Sequence, residues 1–120
     1  MGYLIVDPRM TAGKIGEVDL VKRDDIKTAV GYALSAEYLG MDFFYLEAGS
    51  GADQPVSDEM IAAVKQNISI PLCVGGGIRS VKTVKQKVMA GADIIVTGTA
   101  LEEEKDVKET IGAMIHSLQR

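Results

Sequence analysis

The sequence predicts an α/β fold of four βα units with parallel strands. Short apolar runs alternate with amphipathic helical segments four times along the chain, and strands that alternate with helices form parallel sheets through right-handed crossovers. Small or glycine-rich segments follow several of these runs, as expected where strands end near a ligand. The 120 residues are about half of the roughly 250 in a complete eight-stranded barrel. Four units therefore make half of such a barrel or a small open sheet.

Four apolar runs supply the predicted strands. They cover residues 3–7, 42–47, 70–74 and 93–97. In the second run, period-two alternation puts Phe43, Tyr45 and Glu47 on one face of the strand. Residues 9–23 are mixed in character and carry two glycines, so we predict a long loop of the kind that often serves as a functional lid.

Capping residues mark the predicted helices. The predicted N-caps are Asp24 or Asp25, Ser57 and Ser80, and Gly40 and Gly91 end the first and third helices. The last predicted helix covers roughly residues 101–118. Because no linker or low-complexity segment interrupts the pattern, residues 1–120 are predicted to form a single domain.

Composition disfavours several classes of function. The net charge of −4 and the pI of about 4.9 disfavour nucleic acid as a partner. Cys73 is the only cysteine and His116 the only histidine, so a disulfide within the chain is impossible and a structural zinc site is disfavoured. The sequence has no apolar stretch of 18 residues and no signal-peptide pattern. We therefore predict no transmembrane segment and a cytoplasmic location.

Candidate chemistry lies where the predicted strands end. Glu47 closes the second strand beside a Gly-Ser-Gly turn, and parallel α/β folds bind ligands at that end. The alternative is a solvated glutamate in a surface loop.

After the third strand, Gly75-Gly76-Gly77 precede a helix capped by Ser80. Exposed N–H groups and a helix N-terminus favour an anion, so this segment predicts a phosphate site. The alternative is a plain tight turn.

A second small-residue segment, Thr97-Gly98-Thr99, ends the fourth strand. In complete barrels, the loops after the seventh and eighth strands often share one phosphate site. Two consecutive loops of this type therefore indicate a phosphate site more specifically than either loop alone. Arg79 either adds charge to the phosphate site or forms a structural ion pair at the rim of the sheet.

Three segments together resemble the C-terminal half of the geranylgeranylglyceryl phosphate synthase family, archaeal prenyltransferases with a modified TIM barrel. The segments are Tyr45–Ala52 (YLEAGSGA), Val74–Arg79 (VGGGIR) and Ala92–Gly98 (ADIIVTG). The first is highly specific, whereas the Gly-Gly-Gly-Ile segment is shared with many phosphate-binding barrels. The resemblance covers essentially the whole chain.

The resemblance implies an activity. Members of the family transfer a geranylgeranyl group from its diphosphate to the 3-hydroxyl of sn-glycerol 1-phosphate, with Mg²⁺, in archaeal ether lipid biosynthesis. The implied roles of Tyr45 and Glu47 are to contact the glycerol, and Glu47 accepts the hydroxyl proton as the oxygen attacks. The implied phosphate ligands are Ser50, Gly75, Gly76, Gly77, Gly98 and Thr99. The family commonly has asparagine where Thr99 stands, so a backbone contact survives and a side-chain amide contact does not.

The Mg²⁺ ligand that the resemblance implies belongs to the family's N-terminal half, which has no counterpart in this sequence. Asp7 is the only acid at the end of the first strand, and no family motif assigns it to the metal. We therefore expect Mg²⁺ as a cofactor whose ligands lie outside this chain. The chain itself is expected to carry the glycerol-phosphate half of the site.

Three functions are open at this point. The chain is a fragment or half of the prenyltransferase, a non-catalytic phosphate-binding half-barrel that self-associates, or another phosphate-handling barrel enzyme. The third is disfavoured because no lysine stands at the end of a strand to form a Schiff base. A half-barrel leaves its edges and its inner face open, so a homo-oligomer or a partner half-barrel is expected. The inner-face residues expected to meet water are Tyr3, Ile5, Phe43, Tyr45 and Cys73.

Overall fold

The fold is a parallel β-sheet covered by helices. The structure is a computed structural model that describes residues 2–7, 14–15, 18–19, 21–49 and 52–97. Its elements are β1 (Gly2–Asp7), β2 (Lys14–Ile15), β3 (Val18–Asp19), β4 (Val21–Lys22), α1 (Ile26–Tyr38), β5 (Phe44–Glu47), α2 (Asp58–Asn67), β6 (Leu72–Gly75), α3 (Val81–Ala90) and β7 (Ile94–Val96). The predicted helix over residues 101–118 lies outside the described residues.

Five strands form one sheet in the order β4-β1-β5-β6-β7, and every neighbouring pair is parallel. The four predicted strands correspond to β1, β5, β6 and β7, which are neighbours in chain order as in one arc of a barrel. The predicted α/β class and its parallel strands are confirmed. None of the helices in the described ranges is long and apolar enough to cross a membrane.

The predicted loop over residues 9–23 is wrong in part. β2 and β3 pair as a short antiparallel ladder, and β4 adds a parallel strand to the free edge of β1, where Val6 pairs with Val21. Strands of two residues are too short to show the period-two pattern. The pairing of β4 depends on the edge that β1 offers, which is a tertiary contact that local sequence does not encode.

The predicted helix caps are confirmed. Asp25 rather than Asp24 caps α1, and its Oδ1 accepts a hydrogen bond from the backbone N–H of Thr28 at 3.2 Å. Ser57 and Ser80 cap α2 and α3 with equivalent bonds of 3.2 and 3.1 Å. These caps satisfy N–H groups that have no partner within the helix, and they fix where each helix begins above the sheet.

The hydrophobic core lies between the sheet and the helices. Alternate strand residues face the helices and are almost fully buried, and they include Leu4, Val6, Phe44, Leu46, Leu72 and Val74. Their helical partners in the same cluster include Ala29, Ala33, Met60, Ile61, Val64, Val84 and Val88. Burying each large apolar side chain contributes about 2 kcal/mol, so this side of the sheet dominates the stability of the fold.

The opposite face of the sheet carries no helices among the described residues. Tyr3 is 53% exposed and Phe43 41% exposed, as predicted, and Ile5 and Tyr45 are half-buried. The expected exposure of Cys73 is wrong, because this residue is only 6% exposed. Cys73 lies on an interior strand and is paired with Tyr45 on one side and Ile94 on the other, so a larger residue stands next to it on each adjoining strand.

Polar contacts tie elements together at the N-terminal ends of the strands. The Lys65 ammonium donates to Asp93 Oδ2 at 2.7 Å, and the same oxygen accepts the Leu72 N–H at 2.9 Å. The backbone N–H of Ser69 donates to Glu37 Oε1 at 2.7 Å, and hydrogen bonds from Ser69 hold the pKa of Glu37 below its ordinary value. The end of the sheet opposite the candidate site is therefore held by fixed polar contacts.

One ion pair joins α3 to the start of α2. The Lys87 ammonium lies 2.6 Å from Asp58 Oδ1, and the Lys87 side chain is 6% exposed whereas that of Asp58 is 49% exposed. A buried ammonium without a partner is costly. Asp58→Asn is therefore expected to lower the free energy of unfolding, measured in urea, by about 2 kcal/mol.

Two further variants distinguish the contribution of the ion pair to stability from that of the helix dipole. Glu59→Gln removes the neighbouring first-turn charge of α2 and is expected to cost only about 0.5 kcal/mol. Lys87→Met removes the buried charge together with its need for a partner and is expected to be close to neutral. Equal losses for Asp58→Asn and Glu59→Gln would contradict a stabilising role for the pair.

Candidate functional site

The candidate site lies at the C-terminal edge of the parallel sheet. Glu47 is the last residue of β5 and Gly75 the last residue of β6, and the two are paired in register. Tyr45 lies two residues before Glu47 and is paired with Cys73. Parallel register therefore brings the predicted tyrosine and glutamate next to the first glycine of the predicted phosphate segment.

The Tyr45 hydroxyl and Glu47 Oε2 lie together against Gly75, where an added Cβ would overlap the hydroxyl and lie 3.2 Å from the carboxylate oxygen. The pKa of Tyr45 is raised well above its ordinary value, first by burial and then by the hydrogen bond to Glu47 and its negative charge. Glu47 Oε1 also accepts the backbone N–H of Gly49 at 2.8 Å. The carboxylate is thus held between a neutral phenol and the start of the following loop.

Two glycines of β6 and its loop make the space that these side chains occupy. A Cβ added at Gly75 would overlap the Tyr45 hydroxyl and lie 3.2 Å from Glu47 Oε2. A Cβ added at Gly76 would lie 2.6 Å from Glu47 Oε1 and 2.6 Å from the Gly49 nitrogen. Gly76 also has φ of +88°, a conformation that favours glycine.

The glycine segment also packs against the backbone of the segment that precedes α2. A Cβ at Gly77 would lie 2.8 Å from the backbone of Gln54 and Pro55. On the other side of this loop, Arg23 Nε donates to the Pro55 carbonyl oxygen at 3.2 Å. The sequence does not single out Arg23, because no local pattern signals a contact between residues so distant in the chain. The Gln54–Pro55 segment is therefore contacted by both Gly77 and Arg23.

The segment retains donors for an anion. In the described ranges, the backbone N–H groups of Gly76 and Gly77 donate to no other residue. Helix α3 begins a few residues later at its Ser80 cap, and a helix N-terminus favours negative charge. Near the Glu47 carboxylate, the arrangement therefore offers amides that have no partner among the described residues, together with a helix N-terminus.

Several predicted site residues are not tested. Ser50, Gly98 and Thr99 lie outside the described residues. Arg79 is half-buried and forms no ion pair with a residue that the structure describes, so neither of its two predicted roles is decided. The described part of the chain brings together no group of three or more His, Cys, Asp or Glu side chains that could hold a metal ion.

Tyr3, predicted only as an inner-face residue, lies beside the candidate site. Tyr3 on β1 is paired in register with Tyr45 on β5, and their ring centroids are 5.1 Å apart with an interplanar angle of 40°. Both tyrosines occupy the inner face of the predicted alternation. Alternation in two neighbouring parallel strands places Tyr3 and Tyr45 on the same face, and this pattern could have predicted the contact.

Comparisons with known proteins decide the family. The sequence profile of the PcrB family matches residues 1–117. The chain belongs to the PcrB family. It is 54% identical over 109 residues to the geranylgeranylglyceryl phosphate synthase of Pyrococcus furiosus, a match that covers 91% of this chain and 43% of the relative. It is 50% identical over 121 residues to the synthase of the same name from Methanosarcina mazei, covering 100% of this chain and 49% of the relative.

A solved structure supports the same grouping. The PcrB-family chain matches the crystal structure of (S)-3-O-geranylgeranylglyceryl phosphate synthase from Thermoplasma acidophilum in complex with its substrate sn-glycerol-1-phosphate, with a TM-score of 0.88 and 45% identity. The match covers 98% of this chain and 47% of that chain. The predicted resemblance and the predicted half of a TIM barrel are both confirmed. The chain spans about half the length of the curated relatives it matches.

Proposed function

We propose that this chain supplies the glycerol-phosphate half of a geranylgeranylglyceryl phosphate synthase. The whole enzyme would transfer a geranylgeranyl group from its diphosphate to the 3-hydroxyl of sn-glycerol 1-phosphate, a step of ether lipid biosynthesis. The observation that carries the proposal is the Tyr45–Glu47 pair at the C-terminal end of β5, packed against Gly75 and Gly76 of the neighbouring loop, where the N–H groups of Gly76 and Gly77 donate to no residue in the described ranges. The similarity to a solved synthase that holds sn-glycerol-1-phosphate supports it.

Glu47 is the proposed base. As the glycerol O3 forms a bond to C1 of the isoprenoid, Glu47 takes the O3 proton, and the bond from C1 to the diphosphate breaks with its electron pair leaving on the diphosphate. Tyr45 donates to the carboxylate and the Gly49 N–H holds Oε1, so the base is oriented before substrate arrives. A preoriented base requires little reorganisation in the transition state.

The glycerol phosphate is proposed to bind at the N–H groups of Gly76 and Gly77, with the N-terminus of α3 behind them. Ser50, Gly98 and Thr99 stay predicted ligands of the same phosphate, since they lie outside the described residues. With the phosphate at the β6 loop and the base at the end of β5, one substrate spans two neighbouring strand ends.

Mg²⁺ is the proposed cofactor, with ligands outside the described residues. The described part of the chain offers no cluster of three His, Cys, Asp or Glu side chains, and the ligands are proposed to lie in the other half of the enzyme. The isoprenoid diphosphate is likewise proposed to bind mainly to the other half of the enzyme. The cytoplasmic location stays a prediction.

The first test concerns the base. Supplied with an N-terminal half taken from a full-length relative, the chain is expected to transfer the prenyl group, and Glu47→Gln is expected to lower kcat by about 100-fold. Alone, the 120-residue chain is expected to turn over poorly or not at all. Product formation from labelled isoprenoid diphosphate measures both.

The control for this test is Glu37→Gln. Glu37 bonds to Ser69 at the opposite end of the sheet, so its loss is expected to leave the rate unchanged. Unchanged turnover in Glu47→Gln would remove Glu47 from the mechanism, and strong activity of the chain alone would refute its role as half of an enzyme.

The second test concerns the phosphate. Gly76→Val is expected to weaken binding of sn-glycerol 1-phosphate at least tenfold, measured by calorimetry, because its side chain would displace Glu47 Oε1 and the Gly49 backbone. Gly40→Val is the matched control, since Gly40 has a similar φ of +82° but an added Cβ there meets nothing within 4 Å. Equal binding in the two variants would place the phosphate elsewhere.

A non-catalytic half-barrel that self-associates is the second candidate function. It is favoured by the open inner face, where Tyr3, Phe43 and Val96 are 53%, 41% and 43% exposed. Exposed apolar patches and open strand edges drive association. The synthase proposal also expects this face to pair, either with the other half-barrel or with a second copy of the chain.

Sedimentation distinguishes the two candidates. At high micromolar concentration the chain alone is expected to be at least dimeric, and Phe43→Ser is expected to shift it towards monomer, whereas Tyr38→Ser on the outer face of α1 is not. Adding an N-terminal half-barrel is expected to replace the self-associated form if the chain is half of a synthase. A monomer at all concentrations would refute association through the inner face.

A further inference from the structure

Tyr3 makes a ring contact that the proposed mechanism does not use. Its ring lies against that of Tyr45 with centroids 5.1 Å apart and a tilt of 40°, a geometry in which aromatic pairs are attractive. The two residues are directly opposite in the parallel register of β1 and β5. The contact is therefore set by the sheet and does not depend on a flexible loop.

The Tyr45 ring is half-buried between neighbours on both adjoining strands. Tyr3 covers it from β1, Cys73 is its partner on β6, and the missing side chain of Gly75 leaves room for its hydroxyl. Of these neighbours, only Tyr3 has an aromatic ring that can stack on Tyr45.

We propose that Tyr3 is a positioning residue whose ring holds Tyr45 in the orientation that keeps the Tyr45 hydroxyl on Glu47. The role belongs to the ring, since the Tyr3 hydroxyl bonds to no residue in the described ranges. For its effect on glycerol binding, this inference rests on the proposed function. For the geometry of the Tyr45–Glu47 pair, it stands on the structure of the chain alone.

The electrostatics of the pair agree with this geometry. Burial is the largest cause of the raised pKa of Tyr45, followed by its hydrogen bond to Glu47 and the charge of that carboxylate. The pKa of Tyr3 is also raised, by burial and then by Glu47. Removing the Tyr3 ring would hydrate Tyr45 and loosen its bond to Glu47. Both changes lower the Tyr45 pKa towards its ordinary value of about 10.

The test titrates Tyr45 in four variants of the chain, using the Cζ resonances of ¹³C-labelled tyrosine. Tyr3→Phe keeps the ring without the hydroxyl, and Tyr3→Leu and Tyr3→Val are two variants without a ring. Tyr38→Leu is the matched control, because it removes a tyrosine that is 83% exposed on α1. The Tyr45 pKa is expected to stay raised in Tyr3→Phe and Tyr38→Leu and to fall in both ring-free variants.

Binding of sn-glycerol 1-phosphate, measured by calorimetry, gives the second readout. It is expected to be unchanged in Tyr3→Phe and about tenfold weaker in Tyr3→Leu and Tyr3→Val. An unchanged Tyr45 pKa in folded ring-free variants would overturn the inference, as would a fall of equal size in Tyr3→Phe. If the unsubstituted chain binds no sn-glycerol 1-phosphate, the proposed function fails, and the Tyr45 titration still decides the role of Tyr3.

Discussion

The parallel pairing of β5 with β6 is the constraint on which the candidate site depends. It pairs Glu47 in register with Gly75, so that the carboxylate lies next to a residue that has no side chain. Any side chain at Gly75 would overlap the Tyr45 hydroxyl, and one at Gly76 would meet Glu47. The glycines therefore serve two purposes. They leave loop N–H groups without a partner among the residues that the structure describes, and they make room for the pair of side chains on the neighbouring strand.

One face of the sheet forms the hydrophobic core, and the other face carries the candidate site. On the helix side, apolar residues of the strands and helices form one closed cluster, and the caps and the contacts of Lys65, Asp93 and Glu37 fix the ends of the elements. On the other side, half-exposed aromatic residues surround a polar pair. Because stability comes mainly from the helix side, the inner face is free to keep ionisable groups and glycines that contribute little to folding.

Sequence patterns predicted those parts of the fold that local periodicity encodes. Alternation within one strand placed Tyr45 and Glu47 on a common face, and capping residues located the helix starts. What local patterns do not encode are relations between distant segments. The burial of Cys73 follows from larger neighbours on both adjoining strands, β4 forms because β1 has a free edge, and Arg23 reaches a carbonyl 32 positions along the chain. Each of these depends on tertiary contacts that no single window of sequence contains.

The short strand β4 has a consequence for how the open sheet meets other strands. It pairs only with the end of β1, at Val6 and Asp7, and leaves the same edge without a described partner from Gly2 to Ile5. Backbone groups that are already paired cannot accept another strand, so among the described residues only the Gly2–Ile5 part of this edge offers groups for strand addition.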